Sequence, residues 1–319
     1  MCYSQQVVQD YRRYLRDYGA SLSIKEFFDC FYRRKQGEKI ALPKGIEDAF
    51  VASNDDSMSG IKALIEDFRA SEATRLEKEL ASQRERLAVA EAKLLVKVTK
   101  GASESKRIAT DKIANALLKL GDLQRAQPEK RDSRIFPGTY ALVLVVEDGK
   151  PVVYPMRYQC RPAGAPAFYD SKFPGTYNAR RDNLNGFWRK QWGHKHGVVI
   201  ATAFYEHVKR HHNEGRALRE DEDVEDIVIE FKPQTGEEML VACLWSRWTK
   251  PGEPDLLSFA AITDHPPPEV AIAGHDRCII PLRPEDLSAW LSPEGRTLEE
   301  LEAILDDRFR PYYEHRLAA

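Results

Sequence analysis

Four short segments of this 319-residue chain carry side chains whose types and spacing could do chemistry. The first is Met1-Cys2. An initiator methionine is removed when the next side chain is small, and cysteine qualifies. The product would hold an α-amine and a thiol on adjacent carbons. Reference pKa values of about 8.5 for the thiol and about 7.7–8.0 for the amine leave useful fractions of both reactive forms at neutral pH. Such a 1,2-aminothiol condenses with an aldehyde through its amine and then closes a five-membered thiazolidine through its sulfur. A cysteine that merely follows a start codon is the other reading, and Cys2 alone does not choose between them.

The second segment is TYNARRDNLNGFWRKQW, residues 176–192, where Asn178 sits among Arg180, Arg181 and Arg189, with Trp188 and Trp192 four residues apart. Arginine and aromatic side chains together suit phosphate contacts and base stacking; the tryptophans equally suit a core, which is the reading preferred for them. The third is ATAFYEH, residues 201–207, in which Glu206 and His207 end an apolar run. A carboxylate there, partly desolvated, could act as a general acid or base, or could simply mark a strand reaching solvent. The fourth is GHDRC, residues 274–278, in which His275 could polarise a substrate or move a proton, or be an ordinary loop histidine. His194, His196, His211 and His212 lack accompanying carboxylate or cysteine geometry, so neither a metal nor a cofactor is expected.

These segments need elements to position them. Val7, Val8, Tyr11, Tyr14, Leu15 and Tyr18 have helical spacing over residues 5–18, with Gly19 as the stop. A second helix is expected from Ser23 to about Tyr32, with Ser23 and Glu26 forming a capping box. Between Ser59 and Leu123, residues Ala73, Leu76, Leu80, Leu87, Ala90 and Leu94 follow heptad positions interrupted by Gln83. Gly101 should break that helix and Ser103 should cap the next, giving an antiparallel hairpin whose expected role is packing or binding a protein partner. From Thr139 to Leu282 the texture is strand-like. TYALVLVVEDGKPVVYPMRY turns at Asp148-Gly149, and GVVIATAFYEHV, DIVIEF, MLVACLWSRW, LSFAAIT and CIIPL follow. The end returns to helix at PEDLSAWL and at TLEELEAILDDRF, where Thr297 and Glu300 have capping-box spacing. The expected class is α+β, a mainly antiparallel sheet or barrel with flanking helices. The expected divisions are 1–58, 59–123 and 134–319.

Composition narrows the context. The formal net charge is −2 and hydrophobic residues make up 42% of the chain, as in an ordinary water-facing protein with a sizeable core. No run approaches a membrane span, and the N-terminus lacks the apolar stretch of a secretory signal. Five scattered cysteines show no disulfide or zinc spacing; a reducing cytoplasm and a monomer are expected. From Lys172 to Arg216 there are nine Lys/Arg against three Asp/Glu, and from Glu220 the chain turns acidic. The basic stretch is either a DNA-facing surface or a solvated face of mixed charge.

Taken in order, the segments resemble the SOS-response-associated peptidase family, whose members shield abasic sites in single-stranded DNA. The matching residues are Met1-Cys2, Tyr177-Asn178-Ala179-Arg180, Phe204-Tyr205-Glu206-His207 and His275-Asp276-Arg277-Cys278, with Ile135 to Thr139 as a Pro-Gly-Thr turn and Leu282 to Trp290 near the end. The chain departs from the pattern at Tyr3 and Ser4, where Gly-Arg is usual. It departs again at Pro155-Met156, where a tryptophan is usual, at His207 in place of tryptophan, and at Ile279 in place of proline. The helical hairpin stands as an insertion. The resemblance implies that Cys2, freed of Met1, forms a thiazolidine with the aldehyde of an abasic site. Asn178 would hold Cys2, Glu206 would move protons, and His275 would assist at the sugar oxygen. Arg180, Arg181, Arg157 and Arg277 would meet DNA phosphates. It further implies autopeptidase and crosslink-reversal activity. A thiol-dependent peptide hydrolase and a non-enzymatic binding module carried by the hairpin remain the rival readings.

Overall fold

The computed structural model describes residues 3–318. The chain divides into two compact units. One comprises residues 1–30, 39–53 and 130–319; the other comprises 31–38 and 54–129.

In chain order the first elements are β1 (Ser4–Val7), α1 (Tyr11–Tyr18), β2 (Ser21–Leu22), α2 (Ile24–Lys35) and α3 (Lys44–Val51). Residues 4–7 are strand rather than the start of a helix. Asp10 is the reason: its side chain accepts from the Arg12 amide, so the helix begins only at Tyr11 and the residues before it are free to pair with a sheet. Gly19, in the left-handed region at φ 60°, ends α1 as its type allows. At the start of α2 the Ser23 hydroxyl donates to the Val153 carbonyl.

The second unit is a helical hairpin, α4 (Ser59–Val96) and α5 (Lys100–Gln124), with the short segment 31–38. Ile61, Leu64, Ile65, Leu76 and Ala90 of α4 and Ala102, Ala109 and Ala116 of α5 are buried. Alanine on one face lets two helices approach closely. Glu91 and Lys106 pair between the helices at 3.0 Å, and the Arg86 Nε donates to Ser105 Oγ at 3.0 Å. The break falls at residues 97–99, and Thr99, whose side chain accepts from the Ala102 amide, replaces Ser103 as the cap. Gly101 therefore lies inside the first turn of α5, where a cap two residues earlier overrides its low helix propensity. Among the described residues no helix is long and apolar enough to cross a membrane.

The strands follow: β3 (Arg134–Ile135), β4 (Tyr140–Glu147), β5 (Lys150–Tyr158), then α6 (Tyr169–Lys172), β6 (Asn178–Arg180), β7 (His196–Lys209), α7 (Arg210–Asn213), β8 (Asp226–Pro233), β9 (Met239–Lys250) and β10 (Glu253–Asp264). The chain ends through α8 (Pro268–Ile272), β11 (Cys278–Ile279), β12 (Pro281–Leu282), α9 (Leu287–Leu291), α10 (Leu298–Asp306) and β13 (Tyr313–Leu317). Asp148 at φ 51° and Gly149 at φ 73° make the tight turn between β4 and β5. Thr297 and Glu300 exchange both bonds of a capping box on α10.

The sheet closes on itself. β9 pairs with β10 and with β7, β7 meets β4 at Leu144 and Val198, β4 pairs along its length with β5, and β5 returns to β10 in parallel. Alternation sends Val143, Val145, Val199, Val241 and Phe259 into one shared core. The fold is α+β with a barrel-like core. β4 and β7 approach closely at Gly197, where an added Cβ would stand 3.0 Å from a Val143 methyl, 3.2 Å from the Leu144 carbonyl oxygen and 3.3 Å from a Val145 methyl.

His196 beside it is buried among Trp192 and Trp290. Its Nε2 accepts from the Gly193 amide, so Nδ1 carries the proton and donates to the Trp290 carbonyl. Trp290 answers by donating to the Gly197 carbonyl at 3.0 Å, which ties α9 to the seam. Burial pushes the His196 pKa down to about 3. Above about pH 6.5 the ring is neutral in the folded and unfolded chains alike. Below that the unfolded chain takes up a proton that the folded ring refuses, so stability falls until the folded ring titrates. Between about pH 7 and about pH 4 this linkage costs about 3 kcal/mol, and a His196→Gln variant should lose correspondingly less over that interval, as denaturant unfolding at the two pH values will show. Gly197→Ala should destabilise the protein by about 1–3 kcal/mol through overpacking at the seam, read as a lowered unfolding midpoint at pH 7.

Candidate functional site

β7 supplies the central residue of the site. Its first half pairs with β9; its second half, from Phe204 to Lys209, pairs with β8, while β1 lies along the other edge with Ser4 opposite Tyr205. Period-2 alternation sends Tyr205 and Glu206 to opposite faces. Glu206 is fully buried.

His275 arrives from the turn after α8. Gly274 takes φ 100°, and an added Cβ there would stand 3.0 Å from the His212 Cβ, so both the backbone angle and the close approach require glycine. The turn aims the imidazole inward: His275 Nε2 lies 3.2 Å from Glu206 Oε2. On the other side of the ring, Nδ1 lies 2.9 Å from the Arg277 carbonyl oxygen and 3.3 Å from the Arg277 amide. Burial lowers the His275 pKa, which favours the neutral ring. A neutral ring has two ways to fill these positions. With the proton on Nδ1, donated to Arg277, Nε2 accepts from a protonated Glu206. With the proton on Nε2, it donates to the Glu206 carboxylate. Either way one proton is held between a carboxylate and an imidazole, the arrangement that general acid–base transfer needs.

Asn178 begins β6 and is buried, with its backbone beside Ala261 of β10. At the end of β10, Thr263 faces Arg180 of β6 on one side and Ile279 of β11 on the other. The segments carrying Asn178 and His275 thus run alongside the same strand end. Cys2 lies outside the described residues. Among the described thiols, Cys160 is pushed up to about 12 by burial, and burial also drives the pKa values of Cys243 and Cys278 upward. Those three sulfurs are held protonated and unreactive.

The four arginines read from the sequence fall in different settings. Arg180 is half exposed and pairs with Asp182 at 2.5 Å. Arg181 is clasped by Asp264 at 3.2 Å and by Glu302 and Asp306, each at 2.8 Å. Arg157 pairs with Asp170 at 2.8 Å, a carboxylate it shares with Arg161. Arg277 is nearly buried, and its carboxylate neighbours Asp182 and Asp276 stand at 3.8 and 4.0 Å. Arg157 and Arg181, little exposed and already met by carboxylates, have little charge left for a phosphate. Trp188 and Trp192 are buried, the second stacked on His196. Sequence reasoning passed over Arg134, which precedes the Ile135–Thr139 turn and reaches across the sheet to Ser4; its position next to that turn was the one available signal.

Several solved structures are similar to this chain. A protein from Bordetella bronchiseptica is 16% identical, with 61% of this chain and 90% of that one covered at a TM-score of 0.46. One from Bacteroides thetaiotaomicron is 14% identical, with 59% and 78% covered at 0.46. A phage-related protein from Bordetella bronchiseptica is 20% identical, with 58% and 81% covered at 0.43. None of the curated proteins matches. The family described as SOS response associated peptidase (SRAP) matches residues 101–318. That span holds Asn178, Glu206 and His275 together with most of the barrel, and on it the chain belongs to the SOS response associated peptidase family.

Proposed function

We propose that this protein recognises abasic sites in single-stranded DNA and bonds to them covalently through Cys2 once Met1 has been removed. The observation that carries the reading is the buried Glu206–His275 pair at 3.2 Å, on the strand residue next to the one that faces Ser4. Cys2 stands two residues before Ser4 in the chain. Three of the other thiols are held protonated by burial and Cys30 is itself buried, which leaves Cys2 as the sulfur suited to chemistry.

The chemistry needs a proton at two moments. The Cys2 amine adds to the aldehyde carbon of the open sugar, and the resulting oxygen must be protonated to leave as water, giving an imine. The thiolate then adds to the imine carbon, and the nitrogen takes up a proton as the thiazolidine closes. A carboxylate and an imidazole that share one proton can give it to the departing oxygen, regain it from the nitrogen as the imine forms, and pass a proton taken from the Cys2 thiol to that nitrogen as the ring closes. Reversal uses the same groups in the opposite order. Holding amine, thiol and aldehyde together supplies most of the acceleration, since effective molarities of about 10⁵ M are reached by well-oriented groups. Asn178 would position Cys2. Arg180, exposed at the end of β6, would exchange Asp182 for the phosphate backbone and make binding salt-dependent.

Incubation with single-stranded DNA containing an abasic site should give an adduct that survives heating on a denaturing gel, and intact mass should show a chain lacking Met1. Absence of the adduct from the wild type, or its persistence in Cys2→Ala, would overturn the reading; turnover of peptides without any adduct would instead favour the hydrolase. Glu206→Gln should slow adduct formation by about 10²-fold while leaving the unfolding midpoint close to the wild-type value.

A further inference from the structure

Arg134 sits in an unusual electrostatic position. It begins β3, an edge strand that pairs with β1, and its side chain crosses β1 to the far neighbour, β7. There the guanidinium carbon lies 3.7 Å from the centre of the Tyr205 ring, while Nε and Nη2 stand 3.1 and 3.0 Å from Ser4 Oγ. Ser4 is fully buried. A small side chain at position 4 is what leaves room for the guanidinium.

The charge is incompletely answered. Among the described residues Arg134 forms no ion pair, although it is half-buried. Glu230 is a carboxylate whose charge bears on it. Its carboxylate accepts from the Tyr205 hydroxyl at 2.9 Å and is paired with Arg316 at 2.5 Å and with Lys130 at 3.6 Å. A guanidinium cannot shed its proton at any ordinary pH, and a partly buried cation without a counterion is costly. Its π-face contacts with Tyr205 and, at 5.0 Å, with Phe136 offset part of that cost.

What rims this cation is planar and accessible. Phe136 and Tyr3 are each 37% exposed. Their rings meet edge-on at 5.7 Å, and Tyr3 meets His207 edge-on at 4.8 Å. His207 follows Glu206 directly. A cation lacking an anion, bordered by exposed aromatic rings and one residue from a buried acid–base pair, matches one ligand chemistry well: a phosphodiester with an unpaired base attached.

We propose that Arg134 receives a backbone phosphate of the single strand that enters the Glu206–His275 site, and that Tyr3 and Phe136 offer their rings to an adjacent base. The identity of the strand rests on the function proposed above. Arg134 thereby provides, from the opposite side of β1, a guanidinium where position 4 of this chain has only a hydroxyl.

The test uses the full-length protein and a fluorescent, undamaged single-stranded oligonucleotide, with affinity measured over a range of salt concentrations. One phosphate contact fewer should make the log–log salt dependence shallower by about 0.7 in Arg134→Gln. Affinity at low salt should drop about tenfold, from the same loss. Arg134→Lys, which keeps the charge, should restore the slope without full affinity. Unfolding midpoints report whether each variant folds, and Arg134→Met, which keeps the apolar stem over Tyr205, replaces the glutamine variant if that one does not. A folded neutral variant with the wild-type slope would overturn the proposal, as would an equal loss of slope in Arg16→Gln on α1. Because the oligonucleotide has no abasic site, the two readings fail separately. An Arg134-independent slope with the Cys2 adduct intact leaves the covalent chemistry standing, and an Arg134-dependent slope in a protein that forms no adduct leaves the phosphate site standing.

Discussion

The structure depends on one strand doing two jobs at once. The first half of β7 closes the barrel against β9 and β4, and its second half leaves that barrel to pair with β8 and β1. Side chains alternate along each half of the strand, but the register against β1 shifts between Ala201 and Ala203, a bulge that changes which face the later residues, Glu206 among them, take. A one-residue slip would carry Glu206 to the face now held by Tyr205 and bury the wrong group. The tight approach of Gly197 to Val143, Leu144 and Val145, with the bonds of His196 to Trp290 and of Trp290 to Gly197, fixes the first half of the strand, and the bulge beyond it leaves the carboxylate facing His275.

Charge is sorted with equal consequence. Arg181 lies in a stretch of chain that reads as basic and Arg157 precedes it, yet each is folded against carboxylates, Arg157 against Asp170 and Arg181 against Asp264 and Asp306 from distant segments. Around Glu206 the opposite holds. The carboxylate faces a ring whose protonation is disfavoured by burial, so the two groups sit within hydrogen-bond reach with the imidazole favoured neutral. Arg134 stands apart from both cases, cationic and half-buried against aromatic rings. Three kinds of environment thus give three kinds of ionic behaviour, and linear charge counting sees none of the differences.

Much of the framework was legible in advance. The alternating runs from Thr139 to Leu282 foretold the β-rich core, the Asp148-Gly149 pair its first tight turn, and Thr297 with Glu300 the cap of α10, because each of these is a local preference that the neighbours in sequence already express. The errors were local contests with two good answers. Residues 5–7 have helical apolar spacing, but Asp10 caps later and β7 offers an edge to pair with. Gly101 looks like a helix stop, but Thr99 had already started the next helix.

The sequence by itself determined the element types, the α+β class and the residue kinds fit for acid–base chemistry, since periodicity, capping and side-chain chemistry are carried within a few residues. Only the tertiary structure decided which of those residues meet. Glu206 and His275 are separated by 69 positions, and Arg134 and Ser4 by 130, and their contacts exist because sheet pairing places distant segments edge to edge. Burial, which lowers the His275 pKa and holds Cys160, Cys243 and Cys278 inert, is likewise a property of the packed chain and of no single stretch of it.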